Sequence, residues 1–266
     1  MSSLDLTQAK EYVVSLLPKA GEILKRHFES TTLENFAKVG VDFTTEADKE
    51  VDEFLLNSLK EKFPDHNFLT EESAPEDYSG LKSASNLWVI DPLDGTSNFS
   101  RKFPHFAISI GLVEKGQSQL AIAYLPLTQD LYWTDINQTQ AFLNGKVLKV
   151  SETSDLKKAV IGCDWAWNLE KRKNVLRFLE KIALSVRQIK CMGSAVCDLC
   201  LLAEGKIDGY FHSGLKPWDT AASSLIIQKA GGIITTPKGE KWDVFNPDML
   251  ASNQNLYQKL LDLLNN

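Results

Sequence analysis

The sequence predicts an α/β protein built unevenly, with an α+β first half and an alternating α/β second half. Three observations carry that expectation: helical periodicity in two opening segments, a series of short β-rich runs through the middle, and strand–helix alternation from about Ser154. At 266 residues and 43% hydrophobic content the chain has enough apolar side chain for a sizeable core. It shows no internal repeat, low-complexity tract or long linker. One unit over 1–266 is therefore expected, with sub-lobes of about 1–153 and 154–266 packed around a cleft.

Leu4 to Phe28 carries apolar residues at helical spacing, and "EADKEVDEFLLNSLKEKF", Glu46 to Phe63, repeats the pattern. "HNFLT" (66–70) and "NLWVID" (86–91) read as buried strands that deliver acidic residues at their C-terminal ends, with a polar loop around "APEDYSG" between them. "FAISIGLVEKG", "QSQLAIAYLP", "DLYWTDIN" and "QAFLNGKVLKV" are β-rich runs separated by turn residues, the pattern of an antiparallel meander. Then come strand "AVIGCDW", a helix over 168–185, strand "RQIK", a helix over 194–204 and strand "DGYFH". A helix over 219–229 stopped by Gly231-Gly232, strand "GGIITT" and a last helix near 254–264 complete the chain.

A net charge of −6 argues against general binding to nucleic acid or to a membrane surface, because both are polyanionic. An anionic substrate must then meet local positive charge. The N-terminus lacks a basic region followed by an apolar stretch, and no apolar run is long enough to span a bilayer, so a soluble, cytoplasmic protein is expected. The four cysteines, Cys163, Cys191, Cys197 and Cys200, sit in apolar surroundings. "CDLC" lies in an apolar helical stretch with no second Cys or His pair at zinc spacing, so all four read as structural thiols without disulfide or redox roles.

Six acidic residues fall at strand ends or helix starts: Asp48, Glu71, Glu72, Asp91, Asp94 and Asp219. Surface helices carry many carboxylates for solubility, so position rather than residue type singles these out. In "WVIDPLDGTSNF" (88–99) Asp91 closes an apolar strand, Pro92 stops its simple continuation and Asp94-Gly95 signals a turn. Both carboxylates should project from one strand terminus. Two readings fit: an Asx-turn whose side chains cap amides, or paired anions that hold a cation. An oxygen-only set favours a hard ion such as Mg2+, with the Leu93 carbonyl as a further ligand.

Asp219, in "PWDTAASSLIIQKAGG", stands where a helix N-cap belongs, which is compatible with ligating through its second oxygen. Glu71, just past a strand in "TEES", adds a hard ligand. Thr96 and Asp48 pair a hydroxyl with a carboxylate, suited to orienting a water already acidified by Mg2+. If a helix begins there, the amides of Gly95 and Thr96 would cradle a phosphate. A carboxylate cluster repels phosphate until cations neutralise it, so substrate should bind only the metal-loaded protein.

Together, "WVIDPLDGTSNF", the upstream "TEES" and the downstream "PWDTAA" resemble the inositol monophosphatase family of magnesium-dependent, lithium-sensitive phosphatases. "DFTTEAD" (42–48), "FPHFAISIGL" (103–112), "GSAV" (193–196) and "EGKIDGYF" (204–211) extend the likeness over nearly the whole chain. The resemblance implies a layered αβαβα sandwich, a homodimer, and hydrolysis of a small phosphate monoester by metal-activated water, with two or three Mg2+ ions per site. Carried over residue by residue, it puts one metal on Glu71, Asp91 and the Leu93 carbonyl. A second falls on Asp91, Asp94 and Asp219. Asp48, Glu71 and Thr96 become the catalytic residues, with Asp48 and Thr96 orienting the water. Substrate would lie against Asp94, Gly95, Thr96, Ala195, His212 and Asp219. Inositol-binding members often carry glutamate seven residues before the "WD" aspartate, and here that place is His212.

Inositol 1-phosphate is the substrate the resemblance favours. Fructose 1,6-bisphosphate, histidinol phosphate and 3′-phosphoadenosine 5′-phosphate are alternatives on the same scaffold. A regulatory interaction protein that binds the transcription machinery is the reading from another class. The "DGT" of covalent aspartyl phosphatases does not fit, because their nucleophile would fall on Pro92. His105 reads as structural, His27 and His66 as peripheral, and His212 as near the substrate mouth; Trp165 and Trp167 read as packing residues. "NLEKRKNVLRFLEK" is a solvated helix face, and no Walker or dinucleotide loop is present.

Overall fold

In the computed structural model, residues 5–30, 35–37, 43–166 and 168–265 are described. Helix α1 (Leu6–Glu29) begins where the Asp5 carboxylate accepts from the amides of Thr7 and Gln8, and it buries Ala9, Val13, Leu17, Ala20 and Leu24 along one face. Helix α2 (Glu46–Lys62) follows a short antiparallel pair, β1 (Asn35–Ala37) and β2 (Phe43–Thr45). Its first turn is fixed by Asp48, whose Oδ2 accepts from the Thr45 amide at 2.8 Å and from the Thr45 hydroxyl.

Both helices pack on one face of a seven-stranded sheet. In spatial order its strands are β3 (Asn67–Thr70), β4 (Leu87–Asp94), β5 (Ala107–Glu114), β6 (Gln117–Leu125), β7 (Asp130–Asp135), β8 (Phe142–Leu143) and β9 (Lys146–Val147). From β4 to β9 the pairing is antiparallel throughout, the expected meander, while β3 lies parallel to β4. Every residue of β4 is buried because both of its faces are covered. Trp88 and Ile90 face α1 and α2, whereas Leu87 and Val89 face the opposite layer.

That opposite layer holds α5 (Ala195–Ala203), α6 (Pro217–Thr220) and α7 (Ser223–Lys229). Beyond it lies a five-stranded sheet of β11 (Gln188–Lys190), β10 (Val160–Cys163), β12 (Gly209–Ser213), β14 (Asp248–Ser252) and β13 (Ile233–Thr235), in that order. Helices α4 (Leu169–Ile182) and α8 (Gln254–Asn265) cover its outer face around Phe178, Phe211, Leu256 and Leu260. The layers run αβαβα, as the resemblance implied. Among the described residues no helix is long and apolar enough to cross a membrane.

The structure corrects several local expectations. Strand β4 does not stop at Asp91. Pro92 has no N–H for the ladder, so the register with β5 breaks, and pairing resumes at Asp94 opposite Ala107. The helix over 219–229 is two short helices, and Asp219 is not its N-cap. Pro217 at the first helical position starts α6 earlier, so Lys216 is the cap and Asp219 closes the first turn, its Oδ2 accepting from the Lys216 amide at 2.7 Å. Strand β14 was not anticipated. Trp165 is 42% exposed instead of packed, Cys191 is exposed where an apolar setting was expected, and Trp167 lies outside the described residues.

Candidate active site

Strand β4 and helix α6 carry the clustered acids. Asp91 and Asp94 sit on either side of the β4 register break, where Ser109 of β5 lies opposite Asp91. The Ser109 hydroxyl donates to the Trp218 carbonyl at 3.1 Å, and Ser118 of β6 donates to the Ala221 carbonyl at 2.6 Å. These bonds fix α6 on both sides of Asp219. Gly111 makes the approach possible, since a Cβ there would lie 2.7 Å from the Cβ of Ala221. As a result one oxygen from each of Asp91, Asp94 and Asp219 falls within 4.8 Å of the others.

Backbone and side-chain donors hold one oxygen of each acid. Asp91 Oδ1 accepts from the Leu93 amide at 3.0 Å, while its buried Oδ2 has no hydrogen-bond partner among the described residues. Asp94 Oδ2 takes the Val196 amide at 2.9 Å and the Ser194 hydroxyl. At an effective dielectric near 20, two anions about 4.8 Å apart repel by roughly 3 kcal/mol. Burial adds to that cost: it pushes all three carboxyls up, Asp94 to about 6, and the neighbouring acids, Glu71 among them for Asp91 and Asp219, push further. A buried carboxylate oxygen left without a donor, inside a group of mutually repelling acids, fits a hard cation. The residues present suit the ion that the sequence implied.

The second half of the site adjoins this cluster. Thr96 Oγ1 lies 3.0 Å from Asp48 Oδ1 and 3.1 Å from the Leu93 carbonyl, both of which can accept its proton. Burial raises Asp48 to about 7 against the lowering effect of its bonds from Thr45. Gly95 holds a left-handed conformation (φ 93°) at the N-terminus of α3 (Thr96–Ser100), where a Cβ would meet the His105 carbonyl at 2.9 Å. The turn is therefore a helix start as well as a carboxylate carrier.

Ala195 is buried at the start of α5, beside the Ser194 that bonds Asp94. His212 is buried in β12 with its ring stacked on Tyr210, its Nδ1 unpartnered among the described residues and its pKa lowered to about 4 by burial. His105 bonds Asp198 at 2.8 Å and so is structural, as expected. Sequence reasoning missed Ser194 and Asp164. Ser194 was announced by the Gly-Ser pair that precedes a helix, an N-cap signal. Asp164 follows a strand end, the same signal that marked Asp91.

The raised carboxyls carry a prediction. A carboxyl whose folded pKa exceeds its unfolded value stabilises fully below the unfolded value, and that stability is lost as pH rises through the folded one. Asp48 moves from 3.8 to about 7 and Asp94 from 3.8 to about 6. The metal-free protein should therefore lose thermal stability between about pH 4 and pH 7, and a divalent cation should recover much of it. Melting scans with chelator and with saturating cation check this; a flat metal-free profile would contradict the burial of these acids.

A layered αβαβα fold that gathers carboxylates at a strand terminus and a helix start defines the class, a phosphatase enzyme. The chain belongs to the inositol monophosphatase family, whose model matches residues 5–266. It is 33% identical over 261 residues to inositol monophosphatase 3 of Solanum lycopersicum, covering 97% of each chain. It is 30% identical over 252 residues to human inositol monophosphatase 1, covering 94% of this chain and 91% of the relative. Among solved structures, the extragenic suppressor protein suhB from Bartonella henselae superposes with a TM-score of 0.87 at 30% identity, covering 97% of this chain and 98% of that one.

Proposed function

We propose that this enzyme is a Mg2+-dependent phosphomonoesterase whose main substrate is inositol 1-phosphate, working as a cytoplasmic homodimer with two or three ions per site. The observation that carries the reading is the Asp91–Asp94–Asp219 cluster with the Thr96–Asp48 pair beside it. Glu71, Asp91 and the Leu93 carbonyl would hold one ion, and Asp91, Asp94 and Asp219 a second. Bound there, Mg2+ supplies Lewis acidity that acidifies water and offsets phosphate charge.

The chain's own groups do the rest. The Thr96 hydroxyl has a single proton and two acceptors within reach, so an oxygen lone pair is free to accept from a water. Asp48 Oδ1 is the proton's destination, through the Thr96 hydroxyl, and its value of about 7 suits a base that works near neutrality. At the α3 start, the amides of Gly95 and Thr96 would donate to phosphate oxygens. Covalent catalysis is not required, because the oriented water is the nucleophile.

Ring recognition falls to Ala195 and His212. A neutral imidazole offers one donor and one acceptor, whereas glutamate is an anionic acceptor for sugar hydroxyls. His212→Glu should raise the kcat/KM ratio for inositol 1-phosphate over a non-inositol monoester by about tenfold, the worth of one charge-assisted hydrogen bond. An unaltered ranking with the fold intact would remove His212 from the pocket. The proposal as a whole is tested by phosphate release across inositol, sugar, nucleotide and histidinol phosphates with and without Mg2+. Inositol 1-phosphate should lead; another monoester ahead of it by a wide margin would reassign the substrate.

A further inference from the structure

Strands β10 and β11 run parallel with Gly162 opposite Lys190, so the next residues on each, Cys163 and Cys191, emerge side by side. Their sulfurs are 3.3 Å apart. Cys163 is buried under α4 and Cys191 is exposed, so solvent reaches one sulfur of the pair and not the other. The hydrogen bond between them holds the Cys191 thiol below its usual value, while the same bond, with burial, pushes Cys163 up. An accessible thiol of thiolate character beside a second thiol is the arrangement of an attacking and a resolving cysteine. Adjacent strands about 4.8 Å apart also keep the two Cα atoms within disulfide range.

The pair stands at both roots of a brace on Asp94. Asp164, next to Cys163, accepts from the Gly193 amide at 2.8 Å and from the Tyr210 hydroxyl at 3.1 Å. On the other side, the chain leaving Cys191 is tied through the Met192 carbonyl to Asn98 at 2.7 Å, then through Ser194 and the Val196 amide to Asp94 Oδ2. Any movement that draws the two strand ends together acts on Asp164 and on the 192–196 turn at once.

From this geometry we infer that Cys163 and Cys191 are a reversible oxidation site, which a hydroperoxide closes to an intramolecular disulfide and which thereby loosens the hold on Asp94. The Cys191 thiolate attacks the distal peroxide oxygen, the O–O bond breaks, and the departing alkoxide takes a proton to leave as alcohol, or water from hydrogen peroxide. Cys163 sulfur then attacks the Cys191 sulfenic sulfur, the S–O bond breaks, and hydroxide leaves with the Cys163 proton as water. Two thiols and one hydroperoxide thus give one disulfide, one alcohol and one water. A dithiol reverses it.

The effect on Asp94 rests on reading that residue as a metal ligand; the disulfide itself does not. Full-length protein treated with a small excess of hydrogen peroxide should lose about 2 Da, yield a peptide linking residues 163 and 191, and leave Cys197 and Cys200 alkylatable once unfolded. Dithiothreitol should reverse the change, and Cys163→Ser should accumulate a dimedone-reactive Cys191. Mn2+ binding, followed by its paramagnetic resonance, should weaken about tenfold on oxidation in wild type and stay constant in Cys191→Ser. Oxidation of Cys191 to sulfinic acid with Cys163 still a free thiol, or a disulfide that involves Cys197 or Cys200, overturns the site. A 163–191 disulfide with unchanged Mn2+ binding overturns the loosening. Reduced protein that binds no Mn2+ refutes the metal reading while the disulfide result stands on its own.

Discussion

Asp91→Asn should lower turnover by about a thousandfold, weaken divalent-cation binding severely, and raise the melting temperature of the metal-free protein. Asp91 is 1% exposed, and asparagine keeps the bond its Oδ1 accepts from the Leu93 amide. What the change removes is the charge and the fully buried Oδ2, which has no hydrogen-bond partner among the described residues. The loss of cation affinity follows directly. The gain in metal-free stability follows from relieving repulsion with Glu71, Asp94 and Asp219, the acids that push Asp91 up after burial itself. Calorimetric cation titration and melting scans read both effects, and a variant with wild-type turnover at saturating Mg2+ would end the assignment of Asp91 to both ions.

Thr96→Ala should cost about a hundredfold in kcat while leaving the Mg2+ half-saturation within about twofold of wild type. The hydroxyl stands between Asp48 Oδ1 and the Leu93 carbonyl, so its removal takes away the group that orients the water and leaves the three clustered aspartates in place. Thr96→Ser keeps the hydroxyl and should recover most of the rate. A primary loss of Mg2+ affinity in the alanine variant would make Thr96 a metal-site residue instead.

Much of this architecture is legible because its signals are local. The meander from β5 to β7 announces itself by apolar runs cut by turn residues, and α1, α2 and α4 by apolar residues at helical spacing. Strand β14 is not legible: "DMLAS" is short, follows "FNP", and owes its conformation to pairing with β12 and β13 on either side. The division into α6 and α7 also escapes, because alanines at 221 and 222 are good helix formers in isolation. Both keep helical dihedrals, and the Ala221 carbonyl accepts from the Ser118 hydroxyl across the layer.

The site divides in the same way. Asp91, Asp94 and Asp219 stand beside Pro, Gly or an expected helix start, so turn and capping chemistry mark them before any contact is known. Ser194 lies 100 residues from the Asp94 it bonds, and Asp164 lies 29 residues from Gly193. Neither pairing has a local signature. The approach of Cys163 to Cys191 is of the same kind, since only the parallel register of β10 with β11 brings them together.

Phosphate release from inositol 1-phosphate by chelator-stripped protein, before and after Mg2+ is restored, bears most directly on the central claim. The stripped protein should release none, Mg2+ should restore turnover, and Asp91→Asn should stay about a thousandfold slower than wild type at any Mg2+ concentration. Undiminished release by the stripped protein, or none with Mg2+ from any phosphate monoester offered, would contradict the account.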